Sequence, residues 1–133
     1  MNKRILLAGL TALCLAGAGL VHADDMGAMD MKGAPAKTVT LVGEVLDMDC
    51  FMNEGAHGAK HRDCAVMCLN NGSPVGLLTD DGKAYFLTAN ESKGKMKFYD
   101  RVRDMGGQRV KITGVMQDRA GTHCLRIDDA EKQ

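Results

Sequence analysis

A mainly β domain, a small five-stranded barrel with one helix, follows from three features of this sequence. Between Thr38 and Ile127, five apolar stretches with alternating or β-branched character are separated by turn-forming Asp, Asn and Gly. One stretch with apolar residues at steps of three, Met96, Tyr99, Val102 and Met105, falls between the third and fourth of these. A segment rich in Cys and His, from Asp49 to Pro74, separates the first strand from the second. A long curled first strand, a hairpin, a helix between strands three and four and a closing hairpin is the order of the OB-type barrel. Closure also removes exposed strand edges from so small a domain. An open antiparallel α+β sheet is the alternative, and periodicity does not separate the two.

The N-terminus bears on the compartment. Lys3 and Arg4 precede an apolar run from Ile5 to Leu20, and Val21-His22-Ala23 forms a small-residue cleavage site. Residues 1–23 are therefore expected to be a cleaved signal peptide, taking Cys14 and His22 with them and leaving a periplasmic or secreted protein with no membrane segment. Leu13 is too large to make Cys14 a lipoprotein anchor. Residues 24–37 lack β-branched side chains and are expected to form a mobile arm. Its Met26, Met29 and Met31 offer thioethers suited to Cu(I), or are incidental linker residues. A single domain over 38–133 remains.

Within that domain, Val39, Leu41, Gly43 and Val45 alternate along the first strand, which is expected to reach Met48 or Cys50, with a bend at Gly43. Asn70-Asn71-Gly72-Ser73-Pro74 stops the Cys/His segment. Val75 to Thr79 and Lys83 to Thr88 flank Asp80-Asp81-Gly82 as a hairpin, with Leu77, Leu78, Tyr85, Phe86 and Leu87 expected inside. Asn90 is expected to cap the helix, and Gly106-Gly107 to end it. Val110 to Met116 and Thr122 to Ile127 complete the strands, followed by a polar tail from Asp128.

The chemistry concentrates in the insert. His57, His61, Cys64 and Cys68 are spaced four, three and four residues apart, so a continuous helix at about 100° per residue would stack them in one stripe. Gly55 and Gly58 argue against helix before Lys60, which leaves His61, Cys64 and Cys68 as the firm members, with Cys50 near enough in sequence to join them. Imidazole and thiolate bind borderline and soft metals, so copper or zinc is the expected ion. Asp47 and Asp49 can orient a ligand imidazole from outside, or are simply a solvated pair.

The same cysteines support another reading. Cys50, Cys64, Cys68 and Cys124 are an even set in an oxidising compartment, and Cys50 can bridge to a helical cysteine. The domain would then be a disulfide-stapled module binding a periplasmic protein partner or a small ligand without metal. Thiol redox chemistry lacks the C-x-x-C that it usually uses.

The segment Asp47-Met48-Asp49-Cys50, the run Gly58 to Cys68, and Gly72-Ser73-Pro74-Val75-Gly76-Leu77-Leu78 carry a resemblance. The chain resembles small exported bacterial proteins with OB-like C-terminal halves and a Cys/His insert. That resemblance implies the fold and export, and adds little about function.

Other functions find little support. Basic and acidic residues balance at 17 each, and losing Lys3 and Arg4 tips the remainder towards acid, against nucleic-acid binding. With 4% aromatic residues and no Trp, stacking platforms for single strands are missing. No H-E-x-x-H, G-x-S-x-G or phosphate loop occurs, so binding rather than catalysis is expected.

Overall fold

The computed structural model describes residues 36–133. The expected signal peptide and all but the last two residues of the expected arm, including Met26, Met29 and Met31, lie outside the described residues. Strands β1 (Lys37–Asp47), β2 (Val75–Thr79), β3 (Ala84–Thr88), β4 (Arg109–Arg119) and β5 (Thr122–Lys132) close into a barrel in the order β1-β2-β3-β5-β4. Four of its seams are antiparallel; β3 and β5 run parallel, which closes the barrel. Helices α1 (Met48–Glu54) and α2 (Arg62–Asn70) fill the insert between β1 and β2, and α3 (Met96–Arg103) lies between β3 and β4. This is the expected OB-like architecture.

The first strand serves two neighbours. Lys37 to Glu44 pairs with β4, and Gly43 to Asp47 pairs with β2, so the strand curls across the barrel at Gly43. A Cβ at Gly43 would run into the Leu78 carbonyl, so no other residue allows the two strands to cross this closely.

Alternation then fills the interior. Val45, Leu77, Leu87, Val110, Ile112, Leu125, Ile127 and Ala130 are buried in one core, joined by Leu69 of α2 and Val102 of α3. Both helices are thus held by the apolar residues they contribute to the barrel. Arg103 also ties them together: its guanidinium donates to the carbonyls of Leu69 at 3.1 Å and Asn70 at 3.0 Å, satisfying the end of α2.

Four local expectations are corrected. Phe86 faces outward, because Tyr85 and Leu87 take the inward positions and the strand period is two. Asn90 does not cap α3; its carbonyl accepts from the Ser92 amide at 3.0 Å, its amide reaches Asp128, and the helix begins only at Met96. The polar tail is strand: β5 continues to Lys132 because Val110 to Thr113 pair with Asp129 to Lys132, and Ala130 is buried. The first strand ends at Asp47, and Met48 to Glu54 forms a helix of its own.

Candidate metal centre

The insert is built as two short helices joined by a turn. Asp47 caps α1: its backbone is extended and its carboxylate accepts from the Asp49 amide at 3.1 Å, a typical N-cap. Gly55, at φ 68°, ends the helix with amide bonds back to the Cys50 and Phe51 carbonyls. These two residues are the sequence signal for α1, an Asp before and a Gly after a seven-residue stretch.

The chain then turns through His57 and Gly58. The Glu44 carboxylate of β1 accepts from the Gly58 amide and lies 3.7 Å from Nδ1 of His57. A 3-10 turn over Ala59–His61 leads into α2. The backbone is irregular from Gly55 to Gly58, between α1 and the 3-10 turn, and the four-residue stripe beginning at His57 does not form.

Along α2, Ala65 and Leu69 are buried against the barrel. Cys64 and Cys68 each precede one of these anchors, so they border the buried face on consecutive turns, with their sulfurs 4.0 Å apart. Cys50 comes from α1 to meet them, and the three sulfurs lie within 4.8 Å of one another. All three cysteines are free and partly exposed. Zinc–sulfur bonds of about 2.3 Å place two sulfurs of one ion roughly 3.8 Å apart in a tetrahedron and about 4.0 Å apart in a trigonal plane. A disulfide would need about 2.05 Å.

A second group shares Cys50. Ligand atoms of Asp47, Cys50 and His61 are likewise within 4.8 Å of one another. Asp47 is 1% exposed, so it is neither a solvated residue nor an incidental strand end. Its Oδ2 and the Nε2 of His61 are buried without a well-formed hydrogen bond, the Cys50 thiol being a weak donor beside the Asp47 carboxylate. Leaving such atoms unpaired costs on the order of 1–3 kcal/mol each, unless another partner takes their lone pairs. A metal ion is a partner of that kind.

The electrostatics of the site hold protons on the sulfurs of Cys50 and Cys68. The adjoining Asp47 carboxylate, partial burial and the nearby Cys64 and Cys68 push the Cys50 thiol up from 9.0 to about 12. Cys68 is raised as well, first by burial and then by Cys64 and Asp47. Negative charge is disfavoured where three sulfurs and a carboxylate converge, and a cation reverses that balance.

Of the five residues expected from sequence to bind metal, Cys50, Cys64 and Cys68 form one group, and His61 joins Cys50 and Asp47 in the other. His57 is separate: it is exposed, packs edge-on to Phe51 at 6.1 Å and faces Glu44. Asp47, expected to orient a ligand imidazole from outside, has a ligand atom grouped with those of Cys50 and His61. Cys124 lies on β5, paired with Phe86 and Gln117, and donates to Thr88 Oγ1 at 3.7 Å, outside both groups. Its neighbour His123 faces Asp118 at 2.6 Å on the β4–β5 hairpin. In comparisons with known proteins, no family model matches the chain, and no curated protein matches it either.

Proposed function

We propose that this is an exported, non-enzymatic metal-binding protein that handles copper or zinc through the cysteine cluster of its insert. The observation that carries the reading is the convergence of Cys50, Cys64 and Cys68 within 4.8 Å, beside buried atoms of Asp47 and His61 that lack a well-formed hydrogen bond. Thiolate and imidazole are the ligands that copper and zinc prefer, while Ca²⁺ and Mg²⁺ require oxygen cages that the sulfurs do not offer. The apolar N-terminal run and its small-residue cleavage site support a periplasmic or secreted location. Met26, Met29 and Met31 favour copper, because thioethers are soft donors.

Intact mass under non-reducing conditions, with elemental analysis of the same periplasmic preparation, tests the proposal. Four free thiols with stoichiometric copper or zinc are expected. Two disulfides and no metal would overturn it in favour of a stapled module that binds a protein or small ligand.

A further inference from the structure

The donors at the insert fall into two groups rather than one. Two atoms bound to the same ion stand no farther apart than twice the bond length, about 4.6 Å for zinc and sulfur and less for nitrogen or oxygen. Even at the looser spacing of 4.8 Å, the mutually close donors among the described residues form two triads, Cys50–Cys64–Cys68 and Asp47–Cys50–His61, and no set of four. Cys50 belongs to both.

Asp47 and His61 are also poorly placed as supports for an ion in the sulfur triad. A supporting carboxylate normally accepts the ring N–H of a ligand histidine. Here Asp47 Oδ1 accepts from the Asp49 amide, the carboxylate adjoins the Cys50 thiol, and Asp47 Oδ2 and His61 Nε2 do not bond each other. Both residues place a ligand atom next to a sulfur that already belongs to another triad. A thiolate bound to one ion retains lone pairs for a second.

We propose that the centre takes two ions bridged by the Cys50 sulfur: a soft ion, Cu(I) by preference, in the three-sulfur triad, and a borderline divalent ion such as zinc in the Asp47–Cys50–His61 triad. This rests on the metal-binding reading above. The three cysteines give up their protons to solvent as the sulfurs bind. Three all-sulfur ligands suit trigonal Cu(I), while one oxygen, one nitrogen and one sulfur suit zinc with a fourth position left open. That open position is where an incoming ligand, or a receiving protein's side chain, can attach.

Native mass spectrometry of the reduced exported protein, titrated with Zn²⁺ alone against a competing chelator, tests the stoichiometry. Two zinc ions are expected at saturation, with a metal–metal vector in the X-ray absorption spectrum of the two-ion form. Cu(I) added to that form should displace one zinc. His61→Ala should weaken one binding step by at least about tenfold and spare the other, whereas Cys50→Ser should weaken both. Saturation of the wild type at one ion would overturn the bridged pair and leave the metal-binding reading intact; no ion at all would overturn both. Two ions without a metal–metal vector, or a Cys50→Ser protein that loses only one step, would remove the shared sulfur. Displacement of both zincs or neither by Cu(I) would refute the assignment of ions to triads. If a variant fails to fold, the wild-type stoichiometry and absorption spectrum still decide.

Discussion

Asp47 and His61, one at the end of β1 and the other at the start of α2, each hold a buried atom without a well-formed hydrogen bond, and their ligand atoms lie within 4.8 Å of each other and of Cys50. Asp47 is the more informative of the two, because its other oxygen caps α1. One carboxylate therefore sets the helix that carries Cys50 and also faces the site where charge is wanted. Fold and site are coupled through that residue.

Substitution of the sulfur ligands separates the site from the rest of the chain. Cys64→Ser and Cys68→Ser should each lower metal affinity by more than the roughly 10- to 100-fold cost of losing an outer hydrogen-bond partner. Cys124→Ser and His123→Ala should leave it unchanged, since both residues lie outside the donor groups. Chelator competition on the four variants checks this; equal losses at all four would put the site elsewhere.

The metal-free protein should lose stability on the alkaline side. The Cys50 thiol has a folded pKa of about 12 against an ordinary 9.0, so its contribution is fully present below pH 9 and is lost as pH rises towards 12. Denaturant titrations of the reduced, chelated protein across that window should show the decline. Asp47→Asn keeps a competent N-cap but removes the carboxylate charge, so the Cys50 thiolate should form at lower pH, read by alkylation rate. An unchanged alkylation profile would mean that Asp47 does not set the proton affinity of Cys50.

Gly106, in the turn between α3 and β4, marks a place where α2 is closely packed. A Cβ there would stand 2.8 Å from the Val66 amide nitrogen and 3.0 Å from Ala65 Cβ, so Gly106→Ala must push α2 outward. Overpacking of this kind typically costs about 1–3 kcal/mol. Because Cys64 and Cys68 ride on α2 while Cys50 rides on α1, the substitution should also weaken metal binding. A fall in denaturation midpoint with unaltered affinity would show that the triad adapts to the shift.

An acid-side effect is expected at the other face. Asp128 is held below its ordinary 3.8, chiefly by the Lys95 ammonium at 2.9 Å and further by the Asn90 amide. A lowered carboxylate pKa stabilises the fold above the ordinary value, and that stability is lost as pH falls through the folded value. Asp128→Asn should therefore flatten the acid limb of the stability curve while leaving metal affinity unchanged. An acid limb as steep as the wild type's would show that other carboxylates set it.

The sequence by itself determined most of the architecture, because its signals are local. Period-two alternation placed the strands, Asp-Gly placed the β2–β3 turn, and Gly55 and Gly58 correctly broke the helical stripe before His61. Local signals misled where a distant partner intervenes. Asn90 looks like a cap but is drawn to Asp128, and the segment after Ile127 looks like a tail but is paired with the start of β4. The site divides in the same way. His61, Cys64 and Cys68 are legible from their spacing along one helix, whereas the grouping of Asp47 with Cys50 and His61 depends on how two helices fold back over the end of β1. Only the tertiary structure decided that Asp47 is buried and that Cys50 is shared. Burial and donor-to-donor distance are properties of the closed barrel and its packed insert, and no sequence period encodes them.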